Sequence, residues 1–452
     1  MAMPNLDDLI SLAESAVKKA KSQGAEESEA YISWTKSLST DIQGGLVKAR
    51  EGETAGVGIR AVIGKKVGFA AVSSIEEERV YTAAERAVQV ARIRPKDPKF
   101  LRLPDPVKRP SKSGFFDEGM LDVTSSDMME KAQRIVEEAG KVDERVVYVS
   151  GDTELIIVQF AVANSRGINA GDSGTGIDGG IYCKAMENGE ERTGLESISS
   201  RQLIGFEGVG DIAAKRAIES LGAEKLQKPQ KLPVIFDNYT SPMFLSLLSY
   251  GVSAMSVQEG RSALIGKLGE KVAWKNLTII DDSWMEDGLS TMKYDAEGIP
   301  TTVKPVIESG VLKSYLYDSY TAHFEQKAST GNAVRRGEAY LQTPAISPVN
   351  YLVEPGSKSL EEMVTEVDEG LLVRYSLLGV EHSNYISGDF SVVATNPFYI
   401  RDGAIAHPLD PVTIAGNAYE ALMKIMRIGS DLRLSTTGKT PSVLVSDLTC
   451  TP

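Results

Sequence analysis

The sequence predicts an α+β fold: two N-terminal α/β subdomains, then a β-rich, barrel- or sandwich-like C-terminal domain with packed helices. Three observations carry this. The order helix, strands, helix occurs twice in the first half of the chain. A proline cluster and the segment KPQKLP separate the units. Beyond them, period-two alternation with glycine hairpins dominates. A chain of 452 residues exceeds one ordinary domain, and the boundaries are placed at 1–105, 106–228 and 229–452.

The first unit opens with an amphipathic helix, in which Leu6, Leu9, Ile10, Ala13, Val17 and Ala20 recur at helical spacing before Gly24. AYISWT, LSTDIQ and GVGIRAVI read as strands, and Gly64-Lys65 turns the last back into KVGFAAV. Ser74 with Glu77 gives a capping-box signature for a helix through Ala91. Pro95, Pro98, Pro104, Pro106 and Pro110 then enforce an extended connector, because proline fixes φ and lacks an N–H.

The second unit begins with a helix from about Asp127 to Ala139. Strands follow at VVYVSGD, ELIIVQFAVANS and GGIYCKAM, and a helix from Ile212 to Leu221 ends at Gly222. The third starts with the strand PVIFDN. Ser241-Pro242 opens a mostly apolar helix running to about Ser256, which is therefore expected to be buried. Hairpins follow at ESGVLKSYLY and IRDGAIAHPL, with helices near Ser359 to Asp368 and Asn417 to Met426.

The net charge is -13, from 62 acidic against 49 basic residues, which disfavours nucleic acid as a partner. No run of about eighteen apolar residues indicates a membrane span. The N-terminus has no basic region before an apolar core, so no signal peptide is expected. The two cysteines, Cys183 and Cys450, suit a reducing cytoplasm.

The stretch YDAEGIPTTVKPVIESGVLKSYLYDSYTAHFEQKASTGNA resembles the TldD/PmbA family. ISGDFSVVATNPFYIRDGAIAHPLDPVTIAGNAYEALMKIMRIGSDL is similar to its C-terminal signature, with the "SGDFS" box and "IAGN" helix start resembling the PmbA (TldE) branch. GVGIRAVIGKKVGFAAVSS is similar to its N-terminal domain. The resemblance implies a cytoplasmic zinc metalloprotease, also described as a modulator of DNA gyrase. It is built from two related subunits, TldD and TldE, and cleaves unfolded peptides. In TldD an H-E-x-x-x-H motif and a late cysteine hold the zinc; TldE lacks them. Such a zinc takes three protein ligands and leaves a position for water, whose proton the glutamate accepts.

Counted back from SALIGKLGEKVA, that motif falls within Leu245 to Ser256, LSLLSYGVSAMS, which has no histidine, glutamate, aspartate or cysteine. Nearby Glu259 is a lone carboxylate. The resemblance then implies a non-catalytic TldE-like subunit. It would have no catalytic, cofactor-binding or metal-binding residue of its own, would be inactive alone, and would shape a peptide chamber beside a TldD-like partner that carries the zinc. A free-standing peptide-binding or regulatory homodimer is the alternative.

Glu381, His382 and Asp389 form the best acid–imidazole cluster, yet His323, His382 and His407 share no helix-face spacing and more often serve as hydrogen-bonded loop residues. Cys450 lies where the catalytic branch has a ligand, but without histidine partners it reads as an incidental thiol, and Cys183 as a core residue. The run GINAGDSGTGIDGG lacks a P-loop ending and reads as a flexible turn. Asp281, Asp282, Glu286 and Asp287 read as a solvated acidic turn.

Overall fold

The computed structural model describes residues 3–452. The fold is mixed α+β, as expected, and its first half is organised by one sheet. The two N-terminal segments supply α1 (Leu6–Ser22), β1 (Glu27–Gln43), β2 (Leu46–Ile63), β3 (Lys66–Val72) and α2 (Glu77–Ile93), then α3 (Ser125–Val142), β4 (Val146–Asn164), β5 (Asn169–Glu187), β6 (Glu190–Ser200) and α4 (Val209–Glu219). All six strands join in the antiparallel order β3-β2-β1-β4-β5-β6. The β1–β4 pairing, in register from Glu29↔Asn164 to Gln43↔Ser150, sews the two segments into one surface.

Alternation along these strands puts one set of side chains under the helices. Ala30 and Ile32 pack with α1 and α2, whereas Trp34 and Leu38, further along the same face of β1, pack with α3 and α4. All four helices therefore cover one face. Burying each such large side chain contributes about 1.5–3 kcal/mol. The opposite face, with Tyr31, Ser33, Ile156, Val158 and Phe160, is left for the C-terminal unit and the cleft described below.

Several local expectations are corrected. AYISWT and LSTDIQ are one continuous strand, β1. Ser74 does not cap α2: its hydroxyl accepts from Glu76 N at 3.1 Å, and the helix begins at Glu77 with Glu76 as N-cap. The glycine run 167–180 lies mostly within β5 and is not a flexible turn. Its glycines serve close approach. A Cβ on Gly174 would meet the Arg201 guanidinium at 2.4 Å, and one on Gly179 would meet the Phe206 ring at 2.8 Å.

The hairpin turns are where the sequence places them. Gly64 and Lys65 (φ 52° and 67°) lie between β2 and β3, Ser309 and Gly310 (48° and 79°) follow Val303–Glu308, and Asp402 and Gly403 (51° and 72°) follow Pro397–Arg401. Each pair sits in the left-handed region that a two-residue hairpin needs.

The C-terminal unit begins with β7 (Gln230–Phe236), α5 (Ser241–Gly251) and α6 (Ala254–Gln258). β7 lies inside a nine-stranded sheet between Val443–Thr451 and Glu369–Val373. A second, six-stranded sheet is built around Ile279–Asp282 and Val303–Glu308. The two share one core with α5, including Val234, Phe236, Phe244, Leu248, Ile279, Ile307, Ile414 and Val443. Phe244 stacks on Phe236 at 4.9 Å between centroids. Of the two shapes expected, the sandwich is realised: neither sheet closes on itself into a barrel. Among the described residues no helix is long and apolar enough to cross a membrane.

Candidate functional site

A cleft of about 1360 Å³ lies between the helix-free face of the N-terminal sheet and the C-terminal unit. Tyr31, Ser33 and Thr35 of β1 and Ile156, Val158 and Phe160 of β4 form one wall. The facing wall is α5–α6 and is rich in hydroxyls: Ser246, Ser249, Tyr250, Ser253 and Ser256 line the space with Met255 and Glu259. Ser246, Ser249, Tyr250 and Ser253 follow the i, i+3, i+4, i+7 spacing of one helical face, and the apolar Phe244, Leu245, Leu247 and Leu248 fill the core side.

The expected single helix to Ser256 is interrupted. At Val252–Ala254 the backbone turns to Leu316 of the YLYD stretch: Leu316 N donates to Val252 O at 2.8 Å and Ala254 N to Leu316 O at 2.9 Å. Downstream, the Ser262 hydroxyl of SALIGKLGEKVA donates to Gly251 O at 2.7 Å, fastening that segment under α5. Gly251 itself is required, since a Cβ there would stand 2.4 Å from the Tyr419 hydroxyl.

The third wall is a segment from Gly331 to Val349 that crosses from the C-terminal unit onto β2. Tyr340 lies against the bare backbone of the GVGIR strand: a Cβ on Gly56 would meet its ring at 2.4 Å, and one on Gly58 its carbonyl oxygen at 2.2 Å. The Tyr340 hydroxyl bonds Ser73 at 2.8 Å and Glu338 at 2.6 Å.

Beside the cleft, a buried ionic network joins the N-terminal sheet to the C-terminal unit. Arg60 of β2 forks onto Glu29 of β1 (Nε–Oε1 2.9 Å, Nη2–Oε2 2.5 Å) and reaches Glu297 Oε1 at 3.1 Å. Arg335 donates to Glu29 Oε1 at 2.6 Å and stacks over Tyr31 at 4.4 Å. Glu297, from the YDAEGIPTT stretch, also accepts Ser319 N at 2.9 Å and the Ser319 hydroxyl. Burial opposes its ionisation, but Arg60 and the Ser319 donors outweigh that and hold its carboxyl below the ordinary range. Burial, with Glu297 adding to it, pushes neighbouring Asp295 up against three backbone donors. Sequence reasoning missed this network, because Glu29 and Arg60 face each other across β1 and β2 but Glu297 and Arg335 join them from loops more than two hundred residues further on.

The sequence-predicted residues are scattered. His382 Nε2 stands 3.4 Å from Glu381 Oε1 on the open surface, with 82% and 69% of the side chains exposed. Asp389 instead accepts from the Ser387 hydroxyl at 2.7 Å and from Asn417 Nδ2 at 2.9 Å. His407 stacks on Tyr399 at 5.5 Å, and His323 lies on the short helix Ser319–Phe324, where burial lowers its pKa. Cys183 and Cys450 are buried free thiols, each pushed up to about 12 by burial. Glu259 pairs with Arg261 at the cleft.

The acidic run is corrected. Asp281 is fully buried, bound by Lys304 Nζ at 2.9 Å and accepting Asn332 Nδ2 at 2.7 Å and Val349 N at 2.7 Å. Only Asp287, paired with Lys439 at 2.5 Å, and Glu286 remain as the exposed turn.

A hydrolytic zinc needs three imidazole, thiolate or carboxylate ligands around one point. The α5–α6 wall offers neutral hydroxyls and one carboxylate, Glu259, taken by Arg261, and among the described residues no three His, Cys, Asp or Glu side chains gather in a metal-holding group. The donor set of this wall does not fit that metal.

Comparison with known proteins places this architecture. The model for the PmbA/TldA metallopeptidase C-terminal domain matches residues 229–452, the central-domain model residues 119–221, and the domain 1 model residues 28–91. An uncharacterised protein of Methanocaldococcus jannaschii is 29% identical over 90% of this chain and 92% of its own length. Metalloprotease PmbA of Escherichia coli O157:H7 is 26% identical over 95% and 92%. A Thermotoga maritima structure described as a modulator of a DNA gyrase superposes with TM-score 0.86 at 28% identity, covering 97% of this chain and 99% of that one. TldE of Thermococcus kodakarensis shares the fold, with TM-score 0.88 at 24% identity over 98% and 100%.

Proposed function

The chain belongs to the PmbA/TldD metallopeptidase family, and from that premise we propose that it is a non-catalytic, TldE-like subunit of a cytoplasmic zinc metalloprotease. In this reading a TldD-like chain supplies the metal and the general base, and this chain supplies half of a chamber for unfolded peptide. The observation that carries it is the hydroxyl-lined face of α5–α6. Ser246, Ser249 and Tyr250 on α5, with Ser253 at its junction to α6, border the cleft within the segment where the resemblance implies a zinc motif.

The cleft suits an extended chain. Its walls combine apolar side chains with hydroxyls, and charged residues such as Glu259 with Arg261 and Arg335 with Glu29 are paired with one another, so side chains of many kinds are tolerated while hydrogen bonds hold the backbone. Co-expression with a TldD-like chain tests the proposal. The two should co-purify, and peptide hydrolysis should require both. Failure to associate with such a chain, together with a stable homodimer that binds peptide, would support the free-standing alternative instead.

A further inference from the structure

A second hollow, of about 480 Å³, lies away from the cleft, where α4 meets the loop after β7 and the strands Glu369–Val373 and Arg433–Ser435. Arginines and tyrosines alternate around it. Arg433 lies 3.7 Å from the Tyr239 ring centroid, Arg216 lies 4.6 Å from Tyr239 and 4.1 Å from Tyr375, and Arg374 lies 4.8 Å from Tyr375.

Most of the charges here are committed. Arg216 donates to Leu195 O at 2.6 Å and pairs with Glu196 at 2.9 Å; Arg433 donates to Ser197 O at 2.6 Å. Asp237 accepts from Thr240 N and Oγ1, each at 2.9 Å, and from Tyr375 N at 3.2 Å. Asp431 accepts from Ser442 N at 3.0 Å and its hydroxyl at 2.6 Å, and Glu361 from the Ser359 hydroxyl at 2.9 Å.

Arg374 differs. It is held by its faces, on Tyr375 and, at 5.7 Å, on Phe398. Its Nε is buried without a hydrogen-bond partner, and its one ion pair among the described residues is to the half-exposed Glu219, at 3.7 Å. The adjoining backbone is fixed: Tyr375 has φ 72°, and Ser376 N donates to Arg374 O at 2.9 Å. With Nε enclosed and the side chain 27% exposed, the terminal Nη1–Nη2 pair is the N–H fork left to a bidentate acceptor.

We propose that this hollow binds a small oxyanion, a carboxylate or phosphate group, on the N–H edge of Arg374. The site is independent of the protease-subunit reading. Isothermal titration of the full chain with inorganic phosphate, and separately with succinate, tests it and distinguishes the two sources. Saturable binding of at least one is expected, weakened about tenfold in Arg374→Gln through loss of the charge-assisted fork. Glu219→Gln, which removes the competing exposed carboxylate, should tighten binding by roughly twofold, and it decides the matter if Arg374→Gln does not fold. No binding of either anion, equal affinity in Arg374→Gln, or no tightening in Glu219→Gln would overturn the proposal.

Discussion

Replacing Glu297 with alanine should weaken the joint between the N-terminal sheet and the C-terminal unit. The change removes the acceptor of Arg60 Nη2 at 3.1 Å and of Ser319 N at 2.9 Å. Arg60 keeps its fork onto Glu29, so the cost sits near the bottom of the about 3–5 kcal/mol for breaking a buried pair. The orphaned Ser319 N–H adds about 1 kcal/mol, for a total of about 4 kcal/mol. In a cooperative unit of 150–250 residues each kcal/mol lowers Tm by about 2–4 °C, so the variant should melt roughly 8–16 °C below wild type. Calorimetry at pH 7.5 reads this directly, with Glu297→Gln as the milder control that keeps an acceptor. Because the native carboxyl is held below its ordinary range, its contribution is complete above that range and is lost as pH falls through the depressed native value. The gap between wild type and Glu297→Gln should therefore narrow in acid. A loss in Glu297→Ala below about 1 kcal/mol would refute the reasoning, since the network would then not hold the two units together.

Gly58→Ala places a Cβ 2.2 Å from Tyr340 O, and should cost about 1–3 kcal/mol in a melt while speeding proteolysis of the segment around Tyr340. Asp178 is pushed up to about 6 by burial, with Glu154 and Asp152 adding to it, so its ionised form is penalised in the native state. Asp178→Asn should then stabilise the protein above pH 6, with the advantage gone below the ordinary aspartate range, as melts across pH would record. Cys183 and Cys450 should resist thiol reagents at pH 8 until denaturant is added, because both are buried and held protonated.

Local chemistry was legible wherever it was self-contained. The left-handed pairs Gly64-Lys65, Ser309-Gly310 and Asp402-Gly403 announce their hairpins, and the apolar spacing from Leu6 to Ala20 announces α1. What depends on distant partners was not. Nothing in LSTDIQ shows that it continues AYISWT, since Ser37 and Ser39 owe their place in β1 to pairing with Gly52 and Arg50 on one side and Ile156 and Glu154 on the other. The glycines of β5 look like a turn until Arg201 and Phe206 are seen filling the space a Cβ would take.

The site followed the same division. The histidine-free α5–α6 segment was readable from composition, and its serines and tyrosine do face the cleft. The sheet wall across from it was not readable because β1 pairs with β4 from the next segment, and the Tyr340 segment and the Glu29–Arg60–Glu297–Arg335 network were not readable because their contacts span more than two hundred residues of sequence. Asp281 was misread for a related reason: it shares an acidic run with the exposed Glu286 and Asp287, but its partners Lys304 and Asn332 lie elsewhere.

The proposed role requires that the α5–α6 wall hold no catalytic metal. Zinc analysis of the purified chain, after equilibration with the metal and gel filtration, tests it most directly. Less than stoichiometric zinc, with no peptide hydrolysis by the chain alone, is the expected result. One tightly held zinc per chain, lost when Ser249 and Tyr250 are replaced and accompanied by peptide cleavage, would contradict the account.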